Sequence, residues 1–419
     1  MARREELQYS MPIIERDPAL NLFMSIEHKK VGGTSMIVGG FGDYYESVED
    51  VIAQISADYP DREKAAAGLV GLGFAGGFKS NSEIVPERPE FFERMGQVGA
   101  KSASFVMAEN SWDGADILVL ASASANHDVM EMMLDELLAQ GMDFDSSYMV
   151  GQACNSAASA INDLTRLPAY EGARVVVAAI ESLSGGLVRQ DDYVVRHNFG
   201  NVYGAIAFRP GIDISQIVGL DTIIEQDHEG VIQAPEGFAV ANKGLSDVRL
   251  QARLPHYTFK GDMDEDFFVV TSEGTFLNLK TTDFFTMDGP ATFEYFASRV
   301  APIELDMLHR YYSECANQYG NLGPTVAHQP SYKVHSSKNL GVEKMRRRAV
   351  KTDSSYDFVV PESPWVMNEM GLNNGSAVTI LAPFVHMAKN EKIKPGVPFM
   401  FSGFGAGSGI STAVLQLHV

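Results

Sequence analysis

The chain has 419 residues, 45% of them apolar and 21% charged, the balance of a soluble globular enzyme built from two domains or two fused halves. Its 54 acidic against 33 basic side chains leave a formal net charge of -21, which argues against any nucleic-acid partner. Two cysteines rule out a disulfide framework and a CxxC zinc site and fit a reducing, cytoplasmic compartment. The opening segment MARREELQYSMPIIERDPALNLFM is charged throughout and reads as no signal peptide, and no apolar run is long enough to span a membrane.

Residues 1–32 read as an N-terminal extension that wraps a partner subunit or the other half. TSMIVGGFGDYYES then starts an apolar strand that breaks on glycines, and VEDVIAQISADY and DREKAAAGL carry helical spacing. ADILVLASAS (115–124) is a buried strand, HDVMEMMLDELLAQG an amphipathic helix ending at Gly141, and SSYMVGQA a further strand. ARVVVAAIES (173–182) and GAIAFRPG complete the set, and strands alternating with helices predict a largely parallel α/β sheet. The stretch 224–284, rich in Asp, Glu, His and Gly, breaks the rhythm and reads as an insertion. A long helix or helix pair follows from Pro290, then the strand PTVAHQP, and a second irregular insertion over 343–365. The chain closes on VMNEMGLNNGSAVTILAPFVHMAKN and two strands around a Gly-rich turn, VPFMFSGFGAGSGISTAVLQLHV.

The halves 33–223 and 285–419 rhyme. In each, an apolar segment meets a polar residue, Cys154 or Asn374, and a helix of small side chains and an apolar strand follow. Helices that start with Ala, Ser and Val suit a layer squeezed between two sheets, where larger groups would not fit. The pattern predicts a duplicated fold of five layers, α-β-α-β-α, with a reactive residue heading each central helix.

Four motifs in this order carry a resemblance: GQACNSAASAI around Cys154, VAHQPSYKVHSSKNLG around His328, LNNGSAVTI around Asn374, and FGAGSGISTAVLQL at the end. Together they resemble the ketoacyl-ACP synthase III branch of the thiolase superfamily. The chain departs from that pattern where the family carries a Trp and a GIRERR-like segment that grips coenzyme A, and where FGNVYGAIAF (199–208) stands for FGDGAGA. These departures point to a specialised pathway, such as polyketide or other secondary-metabolite assembly, rather than to fatty-acid initiation.

The resemblance implies Cys154 as an acyl-carrying nucleophile at a helix start, where backbone N–H groups favour a thiolate. A free cysteine by itself is more often a small buried hydrophobe, the reading kept for Cys315. It also implies His328 and Asn374 as hydrogen-bond donors to a second thioester carbonyl, with Asn374 alternatively a plain helix cap. The other histidines read as ordinary surface or core residues. Backbone N–H groups of Cys154 and Ala406 would form an oxyanion hole. The basic run at Lys344, Arg346, Arg347 and Arg348 is either a solvated helix face or a landing site for coenzyme A phosphates or an acidic acyl carrier protein. GLGFAG (71–76) matches GxGxxG but follows a helical, charged stretch, and DMDED (262–266) lacks calcium-loop spacing.

The expected activity is a ping-pong Claisen condensation between acyl-coenzyme A or acyl carrier protein thioesters, with no resident cofactor or metal. Acyl transfer to an oxygen or nitrogen acceptor is the alternative, and an inactive partner subunit the third reading. The resemblance further implies a homodimer formed through the strand before Cys154.

Overall fold

The computed structural model describes residues 12–55, 61–80, 89–125, 127–151, 154–184, 192–223, 232–233, 268–271, 274–277, 286–287, 289–405 and 409–419. Strands β1 (Glu15–Asp17), β2 (Leu22–Met24) and β3 (Glu27–Val31) precede β4 (Thr34–Gly42), whose nine residues are all buried. An excursion follows, made of β5 (Tyr44–Ser47), α1 (Val48–Gln54), α2 (Arg62–Leu72) and β6 (Gly76–Lys79), with β5 and β6 paired antiparallel. The chain returns through α3 (Pro89–Glu109), β7 (Gly114–Ala121), α4 (His127–Ala139), β8 (Asp143–Val150) and α5 (Ser156–Arg166). Then come β9 (Val175–Ser182), α6 (Tyr193–Asn198), β10 (Asn201–Phe208) and β11 (Ile214–Ile223).

Within 224–287 two short antiparallel pairs are described, Ile232–Gln233 with Thr286–Met287 and Phe268–Thr271 with Gly274–Leu277. Helix α7 (Gly289–Arg310) runs into a π-helical turn at Tyr311–Cys315, where Cys315 lies half-buried. Strand β12 (Thr325–Ala327), helices α8 (Tyr332–Ala349) and α9 (Leu381–Lys389), and strands β13 (Phe399–Phe404) and β14 (Gly409–Leu417) complete the fold.

The duplication is explicit in the strand order. The first sheet reads β1-β2-β4-β10-β9-β7-β8, with β3 also on β4, and the second reads β11-β14-β13-β12. Strands β4, β10 and β9 alternate in direction and β9 and β7 run parallel. Likewise β11, β14 and β13 alternate, and β13 and β12 run parallel. After the first strand of each repeat, the strand pairs described within 43–88 and within 224–288 belong to neither large sheet. The place that β8 holds in the first repeat belongs in the second to Phe358–Val366, which forms no strand. Pro361 and Pro364 lie in it and cannot donate to a ladder. It still docks on β12, with Thr325 N donating to Glu362 O at 2.8 Å and Ser363 Oγ to Thr325 O at 3.2 Å.

Three expectations need correcting. The first sheet is mixed rather than largely parallel. Parallel pairing occurs where helices cross over between β7, β8 and β9, whereas β10 starts at the end where β9 stops and so runs back beside it. The passage to the second half comes before 223, because β11 already pairs with β14. Residues 343–349 are the last turns of α8 and not irregular chain.

Five layers result, as the sequence predicts. Helices α3 and α4 cover the outside of the first sheet, and α7 and α8 that of the second. Between the sheets, α5 packs on β7, β8 and β9 on one side and on β11, β13 and β14 on the other, while α9 packs on β3, β4, β10 and β12. Every residue from Ser156 to Leu164 is buried, so only the last two residues of α5 reach solvent. The fit leaves little room, since a Cβ on Gly403 would lie 2.1 Å from that of Ala158.

Candidate active site

Cys154 stands immediately before Asn155, the N-cap residue of α5. Asn155 does not cap the helix with its side chain; its Nδ2 donates instead to Ser411 Oγ of β14 at 3.0 Å, tying the head of α5 to the second sheet. The thiol is half-buried, and Ser376 Oγ donates to Cys154 Sγ at 3.4 Å. Ser376 comes from the other repeat and sits in the left-handed region at φ 45°. A serine in that conformation is uncommon and strained, so the surrounding contacts hold it there.

Those contacts include Asn374. Its Oδ1 accepts from Ser376 N at 2.9 Å and from Thr379 Oγ1 at 3.0 Å, which fixes the amide with its nitrogen turned the other way. Nδ2 makes no hydrogen bond among the described residues. The backbone of Asn374 crosses to the first repeat, donating to Asn198 O at 3.0 Å and accepting from Gly200 N at 3.2 Å.

His328 follows the last residue of β12, and its N–H donates to Ser402 O at 2.9 Å. Its ring is buried edge-on to Phe404, with centroids 5.0 Å apart. Burial, reinforced by His335 and Lys338, pulls the imidazole down to about 3, so His328 is neutral near pH 7. Among the described residues Nδ1 has no hydrogen-bond partner. Lys338 itself is fully buried against Glu304 of α7, at 2.7 Å.

The third element is the turn after β13. A Cβ on Gly405 would lie 2.8 Å from the backbone nitrogens of both Cys154 and Asn155, so the turn passes directly over the head of α5. Phe404, next to it, touches His328. Cys154, Ser376 and Asn374 are thus joined on one side of the site and Cys154, Gly405 and His328 on the other. Ala406 lies outside the described residues.

The basic run is elsewhere. Lys344, Arg346, Arg347 and Arg348 occupy the C-terminal turns of α8, whose first residue lies close to His328. From Tyr332 to Arg346 the helix rises roughly 20 Å. Arg346 and Arg347 both bond Glu343, at 2.9 and 2.6 Å, and hold its carboxyl down to about 2. A cleft of about 610 Å³ opens there, between Glu304, Glu343, Arg346, Asp357 and Met400.

Two residues near the site carry no sequence expectation. Ser376 was visible only as part of its motif. Glu181, fully buried at the end of β9, accepts from Ala123 N at 2.7 Å, from Ser124 Oγ at 2.6 Å and from Ala377 N at 3.2 Å. Burial pushes its carboxyl up to about 7 against these donors. An acid closing the apolar run VVVAAIES was the available signal.

No family model matches the sequence, and no curated protein matches it. Solved structures do. A 3-oxoacyl-(acyl carrier protein) synthase III from Pseudomonas aeruginosa PAO1 is 15% identical, with TM-score 0.57 over 94% of this chain and 98% of that one. Germicidin synthase from Streptomyces coelicolor, a type III polyketide synthase, is 11% identical, with TM-score 0.59 over 94% and 99%. The priming β-ketosynthase of the R1128 polyketide pathway is 16% identical, with TM-score 0.53 over 94% and 95%. The chain has the thiolase-type fold of these condensing enzymes. Here Cys154 directly precedes the N-cap of α5 in one repeat, Ser376 heads the 3-10 turn Ser376–Ile380 that leads into α9 in the other, and the two meet through the Ser376 Oγ–Cys154 Sγ contact. Among the described residues no helix is long and apolar enough to cross a membrane.

Proposed function

We propose that the protein is an acyl-thioester condensing enzyme of the ketosynthase III kind. The observation that carries this reading is the convergence of a half-buried thiol, a neutral buried imidazole and a fixed asparagine amide. Cys154 Sγ attacks an acyl thioester of coenzyme A or a carrier protein. The tetrahedral oxyanion is stabilised by the backbone N–H of Cys154 and of the turn after Gly405, and the carrier thiol leaves with a proton. A second thioester then places its carbonyl against Asn374 Nδ2 and His328 Nε2–H. Loss of carbon dioxide from a malonyl-type unit leaves an enolate that these donors stabilise. Its α-carbon attacks the acyl-cysteine, and collapse of the adduct releases the Cys154 thiolate with a new carbon–carbon bond. No resident cofactor is part of the proposed cycle.

The depressed basicity of His328 favours this role over acyl transfer to an oxygen or nitrogen acceptor. An imidazole held near 3 is a poor base for taking a proton from an alcohol, but a good neutral hydrogen-bond donor. Assembly as a homodimer through β8 accords with its position, since β8 ends the first sheet and alternates exposed with half-buried residues. Light scattering is expected to give twice the 45.7 kDa chain mass; the mass of one chain would remove the dimer from the proposal. A cytoplasmic setting belongs to the same reading.

The test is intact-protein mass after incubation with a panel of acyl-coenzyme A and acylated carrier-protein donors. An acyl-sized gain that is absent in Cys154→Ala supports the nucleophile, and a product with a new carbon–carbon bond supports condensation. No adduct from any donor would favour an inactive partner subunit instead.

A further inference from the structure

We infer that Lys79 is a positioning residue for Asn374, acting by capping the C-terminus of α6; the inference rests on the condensing reading above. A helix ends with carbonyls that lack intrahelical partners, and buried ones must be satisfied from outside. At the end of α6 every one is accounted for. Val195 O accepts from Phe199 N, and His197 O accepts from the side-chain amide of Asn373. Asn198 O accepts from Asn374 N, while Arg196 O (at 2.6 Å) and Phe199 O both accept from Lys79 Nζ. The cap is therefore shared between a lysine of the first repeat's excursion and the two asparagines of the second repeat.

Lys79 is 1% exposed, and among the described residues its side-chain nitrogen forms no ion pair with a carboxylate. Glu46, whose charge acts on Lys79, is engaged by Arg196, whose guanidinium also reaches Gln54 Oε1 at 2.9 Å. A buried lysine whose hydrogen bonds go to main-chain carbonyls is costly to keep and serves the backbone it binds. Here that backbone is the 196–200 segment, which pairs with Asn374 on both its N–H and its C=O. Removing Lys79 leaves two carbonyls unsatisfied at the point where Asn374 docks. Asn374 Nδ2 then loses the fixed aim that an enolate oxygen requires, while Cys154, held by α5 and the Gly405 turn, keeps its place.

The test compares Lys79→Met and Lys79→Gln with Asn374→Ala. Backbone hydrogen exchange reads the cap without any substrate. The Asn374 and Gly200 amides are expected to exchange at least tenfold faster in Lys79→Met, with β7 and β9 unchanged and Lys79→Gln intermediate because it keeps N–H donors. Unchanged exchange at those two amides in either folded variant overturns the inference. The second readout separates the half-reactions. Acylation of the Cys154 thiol by acyl-coenzyme A should stay within twofold, while carbon dioxide release from malonyl-coenzyme A falls to the level of Asn374→Ala. The double variant should be no slower than Asn374→Ala alone. Equal loss of both half-reactions would reduce Lys79 to general support of the fold and overturn the inference. A parent protein that accepts no acyl group would sink the condensing reading, and the exchange experiment would still decide the cap.

Discussion

Gly405 shows how much of the site depends on an absent side chain. With a Cβ there 2.8 Å from two backbone nitrogens at the head of α5, Gly405→Ala is expected to abolish acylation of Cys154 while leaving the protein folded. Intact mass with the best donor and a circular dichroism melt check both halves of that statement; normal acylation would mean that the turn yields. Ser376→Ala removes the hydroxyl that donates to the thiol but leaves Asn374 held by Thr379, so a loss of about tenfold or less in acylation rate is expected. The three principal residues were legible because each sits in a motif whose neighbours fix its local structure. Ser376, Glu181 and Lys79 were not, because their roles arise from contacts with residues far along the chain. Glu181 meets Ala377, and Lys79 meets Arg196 and Phe199; no local spacing announces such pairs.

At the scale of elements, α5 is tightly constrained, buried from Ser156 to Leu164 and met by Gly403 of β13. Ala158→Leu inserts three carbons where even a Cβ on Gly403 would clash, so it is expected to cost about 3 kcal/mol or more. Urea unfolding measures this, and an unchanged midpoint would show that the sheets can part. The small-residue composition that predicted this layer is also what located it, and the alternation of strands and helices located most elements. Strand direction was less legible. Alternation of strands with helices suggests crossovers, but the helix described between β9 and β10 is only the short α6, and the two strands pair antiparallel. The missing fifth strand of the second repeat was written in Pro361 and Pro364, which the sequence shows only as an irregular stretch. The basic run marks the end of α8, and there Glu343 already engages Arg346 and Arg347. The landing-site reading therefore predicts a loss of donor affinity in Arg348→Glu, read as a rise in the donor concentration for half-maximal acylation. No change would leave the run a helix end.

For the whole molecule, the buried bases set how stability changes with pH. Burial holds His197, His328 and His335 near 3, against 6.5 for the free side chain. The unfolded chain therefore binds protons that the native state refuses as pH falls below 6.5. The stability these residues contribute is complete above 6.5 and is lost as pH falls toward 3. Lys79, lowered from 10.5 to about 7, acts in the same sense between those two values. Glu181, raised from 4.5 to about 7, acts in the opposite sense, its contribution being complete below 4.5 and lost as pH rises through 7. Between 4.5 and 6.5 three imidazoles oppose one carboxyl, so the slope remains upward. The -21 net charge adds a self-repulsion that grows mainly while carboxylates ionise, below about pH 5, and changes little above it. The urea midpoint is thus expected to rise steeply from pH 5 to 6.5 and gently from 7 to 9. His328→Gln, which replaces a proton-refusing ring with a group that never titrates, should make the first limb shallower and leave the second unchanged. A midpoint that is flat or falls from pH 5 to 6.5 would mean that the native protein carries charged imidazoles in its core. The neutral His328 on which the condensing mechanism relies would then be lost with it.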